Sequence, residues 1–133
     1  MAARIAAHRA GRGAVWRSVE APRDAAAALA GAAGGEVWLL DCATLWLTNH
    51  LLAESDLEAE AGRLLAALGA APCPVLVVSN EVGQGIVPEN RLARRFRSEQ
   101  GRLNQRLAGA ADLVLGVMAG LPLVLKGKAP EWL

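Results

Sequence analysis

The 133-residue sequence contains no tyrosine, one phenylalanine, two cysteines and only two lysines. So few aromatic side chains leave little for stacking on nucleic-acid bases, and alanine and leucine must fill the core instead. Cys42 and Cys73 have neither metal-ligand nor redox spacing, so zinc and dithiol chemistry are not indicated. A free thiol in an apolar run reads as a small hydrophobe in a reducing compartment. The longest uncharged apolar stretch near the end of the chain, 113–125, is too short to span a bilayer and contains Pro122. Arg4, Arg9 and Arg12 precede any apolar run that could serve a signal peptide. With lysine only at Lys126 and Lys128, no G-x-x-x-x-G-K-[ST] phosphate loop is present. These absences point to a protein of the cytoplasm, with no membrane insertion and no nucleic-acid partner.

What remains is globular: 53% hydrophobic and 20% charged residues, with a net charge of +1. The charge is unevenly spread. Residues 1–66 hold six basic and eight acidic side chains, whereas residues 67–133 hold eight and five. A single domain over 1–133 is expected, with one real core.

Hydrophobic periodicity orders the chain. Residues 2–10 read as an alanine-rich helix stopped by Gly11. Pro22 is expected to start a helix that ends at Gly34–Gly35. "VWLLDC", 37–42, reads as a buried strand, and 44–53 as a helix. In 56–68, Leu57, Ala61, Leu64, Leu65 and Leu68 follow helical spacing. "VLVVS", 75–79, is a second buried strand. Pro88 and Glu89 are expected to open a helix over 88–108, with Leu92, Phe96, Leu103 and Leu107 as its apolar stripe. Strands at 113–118 and 122–126 close the chain around a glycine-containing turn. Strands that alternate with helices and look buried on both faces predict an α/β layered, mostly parallel sheet with a C-terminal hairpin.

Ligands of open α/β sheets bind beyond the carboxyl ends of the strands. Two strands end in acids there, at Asp41 and, after Ser79 and Asn80, at Glu81. A carboxylate so placed can meet Mg²⁺ in nucleotide-binding proteins, although Asp41 equally fits a helix cap or a surface acid. Gly83 and Gly85 permit close backbone approach, and the helix expected near Pro88 would offer N–H groups to an anion. Behind them stand six arginines: Arg91, Arg94, Arg95, Arg97, Arg102 and Arg106. Much of that helix could equally be a solvated face.

The N-terminal "RIAAHRAGR" forms a second cluster. Arg4 and His8 share a helical face, and Arg9 and Arg12 flank the glycine. Guanidinium neighbours disfavour an imidazolium, so the His8 pKa is expected to fall. Neutral imidazole is a nucleophile, and arginines can hold phosphate oxygens. A surface histidine without chemistry is the plainer alternative. His50 lacks such company and reads as structural.

Three stretches together, "MAARIAAHRAGRGAVWRSVEAP", "VWLLDCATLWLTN" and "VVSNEVGQGIVPENRLARRFRSEQGRLNQRLAGAADLVLGVMAGLPLVLK", resemble the bifunctional adenosylcobinamide kinase / adenosylcobinamide-phosphate guanylyltransferase family of cobalamin biosynthesis. The resemblance implies a P-loop, RecA-like α/β fold acting as a nucleotide-binding domain. It implies phosphorylation of adenosylcobinamide by a nucleoside triphosphate such as ATP. Transfer of GMP from GTP to adenosylcobinamide phosphate, through a guanylyl-histidine, would come next. By the same resemblance His8 takes GMP, while Arg9, Ala10, Gly11, Arg12, Glu20 and Asp41 contact GTP. Asp41 would also meet Mg²⁺, and Asn80 and Glu81 would belong to the same active edge. Homotrimers are implied as well. Family members open with a strand and a phosphate loop that precede the residue matching Met1. The chain is therefore expected to be N-terminally truncated by roughly 30–45 residues. A remnant that binds nucleotide without catalysis, or pairs with full-length subunits, is the alternative.

Overall fold

The computed structural model describes residues 15–131 and 133. The expected helix at 2–10 lies outside them. Element α1, Ala25–Leu29, is short and alanine-rich, and Asp24 caps it by accepting the Ala27 N–H at 3.2 Å. The expectation of a helix from Pro22 to Gly34–Gly35 is corrected here. Pro22 and Arg23 cannot join the helix because side chains 23–27 residues away hold their carbonyls. Asn49 Nδ2 donates to the Pro22 carbonyl at 2.8 Å, and Trp46 Nε1 donates to that of Arg23 at 2.7 Å. His50 Nε2 meets the same Arg23 oxygen at 2.9 Å, while its Nδ1 meets Ser55 Oγ at 3.1 Å. His50 is buried with both ring nitrogens engaged, which fits the structural reading.

Strand β1, Trp38–Asp41, leads directly into α2, Ala43–Leu52. Just before the strand, Glu36 accepts from Trp38 Nε1 at 2.8 Å and from the Ala33 N–H at 3.0 Å. Those donors, with Arg17 nearby, hold its carboxyl below the ordinary glutamate range. Helix α3, Leu57–Ala70, is capped by Asp56 and has Glu58 and Glu60 in its first turn, where the helix dipole favours acids. Strand β2, Val75–Val78, pairs in parallel with β1, Trp38 opposite Val75 and Asp41 opposite Val78.

Helix α4, Arg91–Ala110, starts three residues later than Pro88 suggested. Asn90 caps it instead, accepting the Leu92 and Ala93 N–H groups at 2.8 and 3.1 Å. Of its expected stripe, Leu103 is buried and Phe96 and Leu107 pack on the core, but Leu92 is half exposed. Gln100, a polar residue in the same stripe, is the one fully buried.

Alternation decides which sheet face is covered. Trp38, Leu40, Val75 and Val77 face the core built from Ala25, Leu29, Trp46, Leu47, Leu64 and Leu103. On the other face Leu76 and Val78 are 54% and 42% exposed. Burial on both faces, expected from the apolar runs, is therefore not found among the described residues. The hairpin of β3, Val114–Met118, and β4, Leu121–Lys126, is antiparallel as expected, but it forms a separate two-stranded sheet. Pro122 has no N–H, which suits an edge strand. The Ala119–Gly120 turn has φ of 51° and 78°, as a two-residue type I′ hairpin needs. Lys126 Nζ then donates to the Ala108 and Gly109 carbonyls at 3.0 and 2.8 Å, tying the hairpin to the negative end of α4. At Gly127, φ is +82° and a Cβ would run into the Asp112 carbonyl oxygen, so only glycine fits.

Candidate active site at the carboxyl ends of the parallel strands

The parallel register of β1 and β2 brings their carboxyl ends to one edge, so Asp41 and the 79–81 segment stand side by side. Asp41 is exposed at the strand end, and Cys42, extended and half-buried, begins α2. The Asp41–Cys42 peptide is cis. Buried Thr44, in the first turn of α2, reaches across and accepts the Asn80 N–H on Oγ1 at 2.9 Å. That bond ties the start of α2 to the end of β2.

A polar network from α4 fixes the same edge. Ser79 Oγ donates to Asn104 Oδ1 at 2.6 Å. Gln100 Nε2 donates to Ser79 Oγ and to Asn104 Oδ1, both at 2.9 Å. Asn104 Nδ2 donates to the Asn80 carbonyl at 3.1 Å. Hydrogen bonds chained in this way polarise one another, although Gln100 Oε1 is buried without a partner. Here they fix the backbone of Ser79 and Asn80 and so aim the glycine loop that begins at Glu81.

In that loop Glu81 Oε1 accepts the Gly83 N–H at 2.7 Å, folding the carboxylate over its own backbone. A methyl at position 83 would sit 2.7 Å from that oxygen, so glycine lets the carboxylate stay. Neither Gly83 nor Gly85 has a φ in the left-handed region, so close approach rather than backbone freedom is what glycine supplies at 83. Arg97 Nη2 donates to the Gly83 carbonyl, and Arg94 Nη1 to those of Pro88 and Glu89. The sequence led to the expectation that this helix start offers its N–H groups to an anion, but Asn90 takes two of them.

Among the residues singled out in the sequence, the structure brings Asp41, Asn80 and Glu81 to one edge. Glu20 lies in an exposed, irregular stretch before Pro22. His8, Arg9, Ala10, Gly11 and Arg12 lie outside the described residues. Thr44, Ser79, Gln100 and Asn104 were missed. Gln100 and Asn104 had a signal, an i, i+4 pair of amides bordering an apolar stripe.

No group of three or more His, Cys, Asp or Glu among the described residues could cage a metal. Mg²⁺ commonly keeps several waters and takes one or two carboxylates plus substrate phosphates. Asp41, a carboxylate at a strand end, suits that mode of binding.

The sequence comparisons bear on this edge. A model of the cobinamide kinase / cobinamide phosphate guanyltransferase family matches residues 1–125. The chain belongs to that family. It is therefore grouped with kinase and guanylyltransferase enzymes, and the resemblance read from the three sequence stretches holds. The bifunctional adenosylcobalamin biosynthesis protein CobP of Pseudomonas aeruginosa is 46% identical over 131 residues, covering 96% of this chain and 76% of its own. The bifunctional adenosylcobalamin biosynthesis protein CobU of Salmonella typhimurium is 43% identical over 142 residues, covering 95% of this chain and 78% of its own. The CobU of Escherichia coli is 42% identical over 142 residues. Family membership thus spans every segment of the edge, from Asp41 to Asn104.

Proposed function

We propose that the chain transfers GMP from GTP to adenosylcobinamide phosphate through a guanylyl-histidine at His8, with phosphorylation of adenosylcobinamide by ATP read as an activity of the full-length family. The observation that carries this reading is the shared edge of Asp41, Asn80 and Glu81 in a chain of this family. The fold is read as one RecA-like, P-loop-type nucleotide-binding domain, which accords with parallel strands whose carboxyl ends meet.

In the first half-reaction the neutral His8 imidazole attacks the α-phosphorus of GTP. A P–N bond forms, the α–β anhydride bond breaks and pyrophosphate leaves. In the second, a phosphate oxygen of the corrinoid attacks the same phosphorus, the P–N bond breaks and the imidazole is restored. Arg9, Ala10, Gly11 and Arg12 flank the nucleophile and hold the triphosphate, with Glu20 and Asp41 as further GTP contacts. Guanidinium groups offset the charge that accumulates on phosphate oxygens in the transition state. Asp41 would hold Mg²⁺, which when bound offsets phosphate charge. Asn80 and Glu81 orient the substrates at the edge, and the Thr44, Gln100 and Asn104 bonds keep them in place. We read the assembly as a cytoplasmic homotrimer.

Labelling with α-phosphate-labelled GTP and Mg²⁺, on this chain and on His8→Ala, tests the reading. Acid-labile, base-stable label that disappears in His8→Ala is expected. A folded chain that takes no label would sink the transferase reading and leave a nucleotide-binding remnant.

A further inference from the structure

Helix ends select charge: carboxylates stabilise the N-terminal turn and cations the C-terminal one. Helix α3 obeys this with Glu58 and Glu60. Helix α4 reverses it, with no acid in the first turn and Arg91, Arg94, Arg95 and Arg97 in its first two turns. None of the four is in an ion pair within the described residues, whereas Arg63, Arg102 and Arg106 each have a carboxylate at 2.8 to 3.2 Å. The helix dipole disfavours four cations without an ion pair at its positive end, so charge balance within the described residues does not explain them.

Two of the four share a groove. Arg94 and Arg97, one turn apart, line a cleft of about 510 Å³ between α4 and the glycine loop, with Glu81 and Gly83 on the loop side and Ser98 and Gly101 on the helix side. Each guanidinium has five N–H donors. Arg94 spends Nη1 on the Pro88 and Glu89 carbonyls, and Arg97 spends Nη2 on that of Gly83. The loop carbonyls thus aim both groups while most donors stay uncommitted. Arg97 Nη1 is buried with no hydrogen-bond partner, a costly state for a cationic donor. Glu81, the acid in the groove, already accepts the Gly83 N–H. Arg102, which also lines the groove, is paired with Glu99 at 2.8 Å. The small residues at 83, 98 and 101 leave room for a tetrahedral oxyanion.

We infer that this groove is a phosphate subsite in which Arg94 and Arg97 grip one phosphate group. The inference rests on reading the chain as handling phosphorylated substrates, and deepens it by assigning a phosphate to arginines that the transfer step at His8 does not itself invoke. A nucleotide's terminal phosphates and an acceptor's phosphomonoester offer the same chemistry, and binding data separate them.

Inorganic phosphate is the first probe, titrated calorimetrically at low ionic strength into the full chain, Arg94→Gln/Arg97→Gln and Arg91→Gln. The double variant should bind phosphate at least about tenfold more weakly, as expected on losing charge-assisted bonds, and Arg91→Gln less than about twofold. GTP and a short alkyl phosphomonoester are then titrated into the same proteins. Parallel weakening of GTP assigns the groove to the nucleotide, and weakening of the alkyl phosphate alone assigns it to the acceptor. Circular dichroism checks folding, and Arg94→Gln alone replaces the double variant should that unfold. Unchanged phosphate affinity in a folded variant, no saturable binding by the parent chain, or an equal loss in Arg91→Gln each overturn the subsite. Guanylyl labelling of His8 that survives such a result would leave the transferase reading standing. Intact arginine-dependent phosphate binding without labelling would do the reverse.

Discussion

Thr44 shows how much one hydroxyl decides at this edge. Its Oγ1 accepts the Asn80 N–H at 2.9 Å, and Thr44 itself is buried in α2. Valine has nearly the same shape but no acceptor, so Thr44→Val leaves that N–H without its partner. The expected loss is about 1–3 kcal/mol in urea unfolding. Because the bond also sets where Asn80 and Glu81 begin, GTP labelling should fall more than the unfolded fraction explains. A Thr44→Val protein as stable as its parent would show that water replaces the hydroxyl. Residues of this kind are hard to read in a sequence. Thr44 sits in a helix among apolar neighbours, and its partner lies 36 positions away. Gln100 is hidden for the same reason: its amide is polar, but Ser79 and Asn104 supply its bonds from inside the fold.

At the scale of elements, local punctuation explains what could be read in advance. Helix α3 carries its own cap, its own first-turn acids and a clean apolar period, and both core strands are bounded by prolines, glycines or acids. Helix α4 was readable in extent but not in its first residue. Pro88 is a plausible helix opener, yet Asn90 captures two backbone N–H groups and wins. Asn90→Ala should therefore cost about 1 kcal/mol and lower the melting temperature by several degrees. Amide exchange should quicken at Leu92 and Ala93 first. Uniform exchange along α4 would count against the cap as its anchor. The helix expected from Pro22 failed for a tertiary reason. Trp46, Asn49 and His50 hold the 22–23 carbonyls, and no propensity within 22–35 could reveal that.

Across the molecule, apolar runs foretold the strands but not their surroundings. An apolar strand reads as covered on both faces, whereas Leu76 and Val78 are open on one face and all of β4 is exposed. Val117, Leu121 and Leu125 on the hairpin are 71%, 70% and 63% exposed. Apolar surface of this extent favours association. A homotrimer should sediment at about three times the 13.9 kDa chain mass. A mass that stays at one chain through the micromolar range would remove the trimer from the proposal.

The hairpin's tie to α4 has a practical corollary. The sequence has two lysines, both at or just after the end of β4, and Lys126 already gives its amine to the helix carbonyls of Ala108 and Gly109. Among side chains, then, acylating reagents should modify Lys128 first. A fluorophore coupled there would leave the arginine groove and the strand ends chemically intact. The protein thus provides its own site for surface tethering or single-molecule imaging, with the edge at its strand ends unmodified.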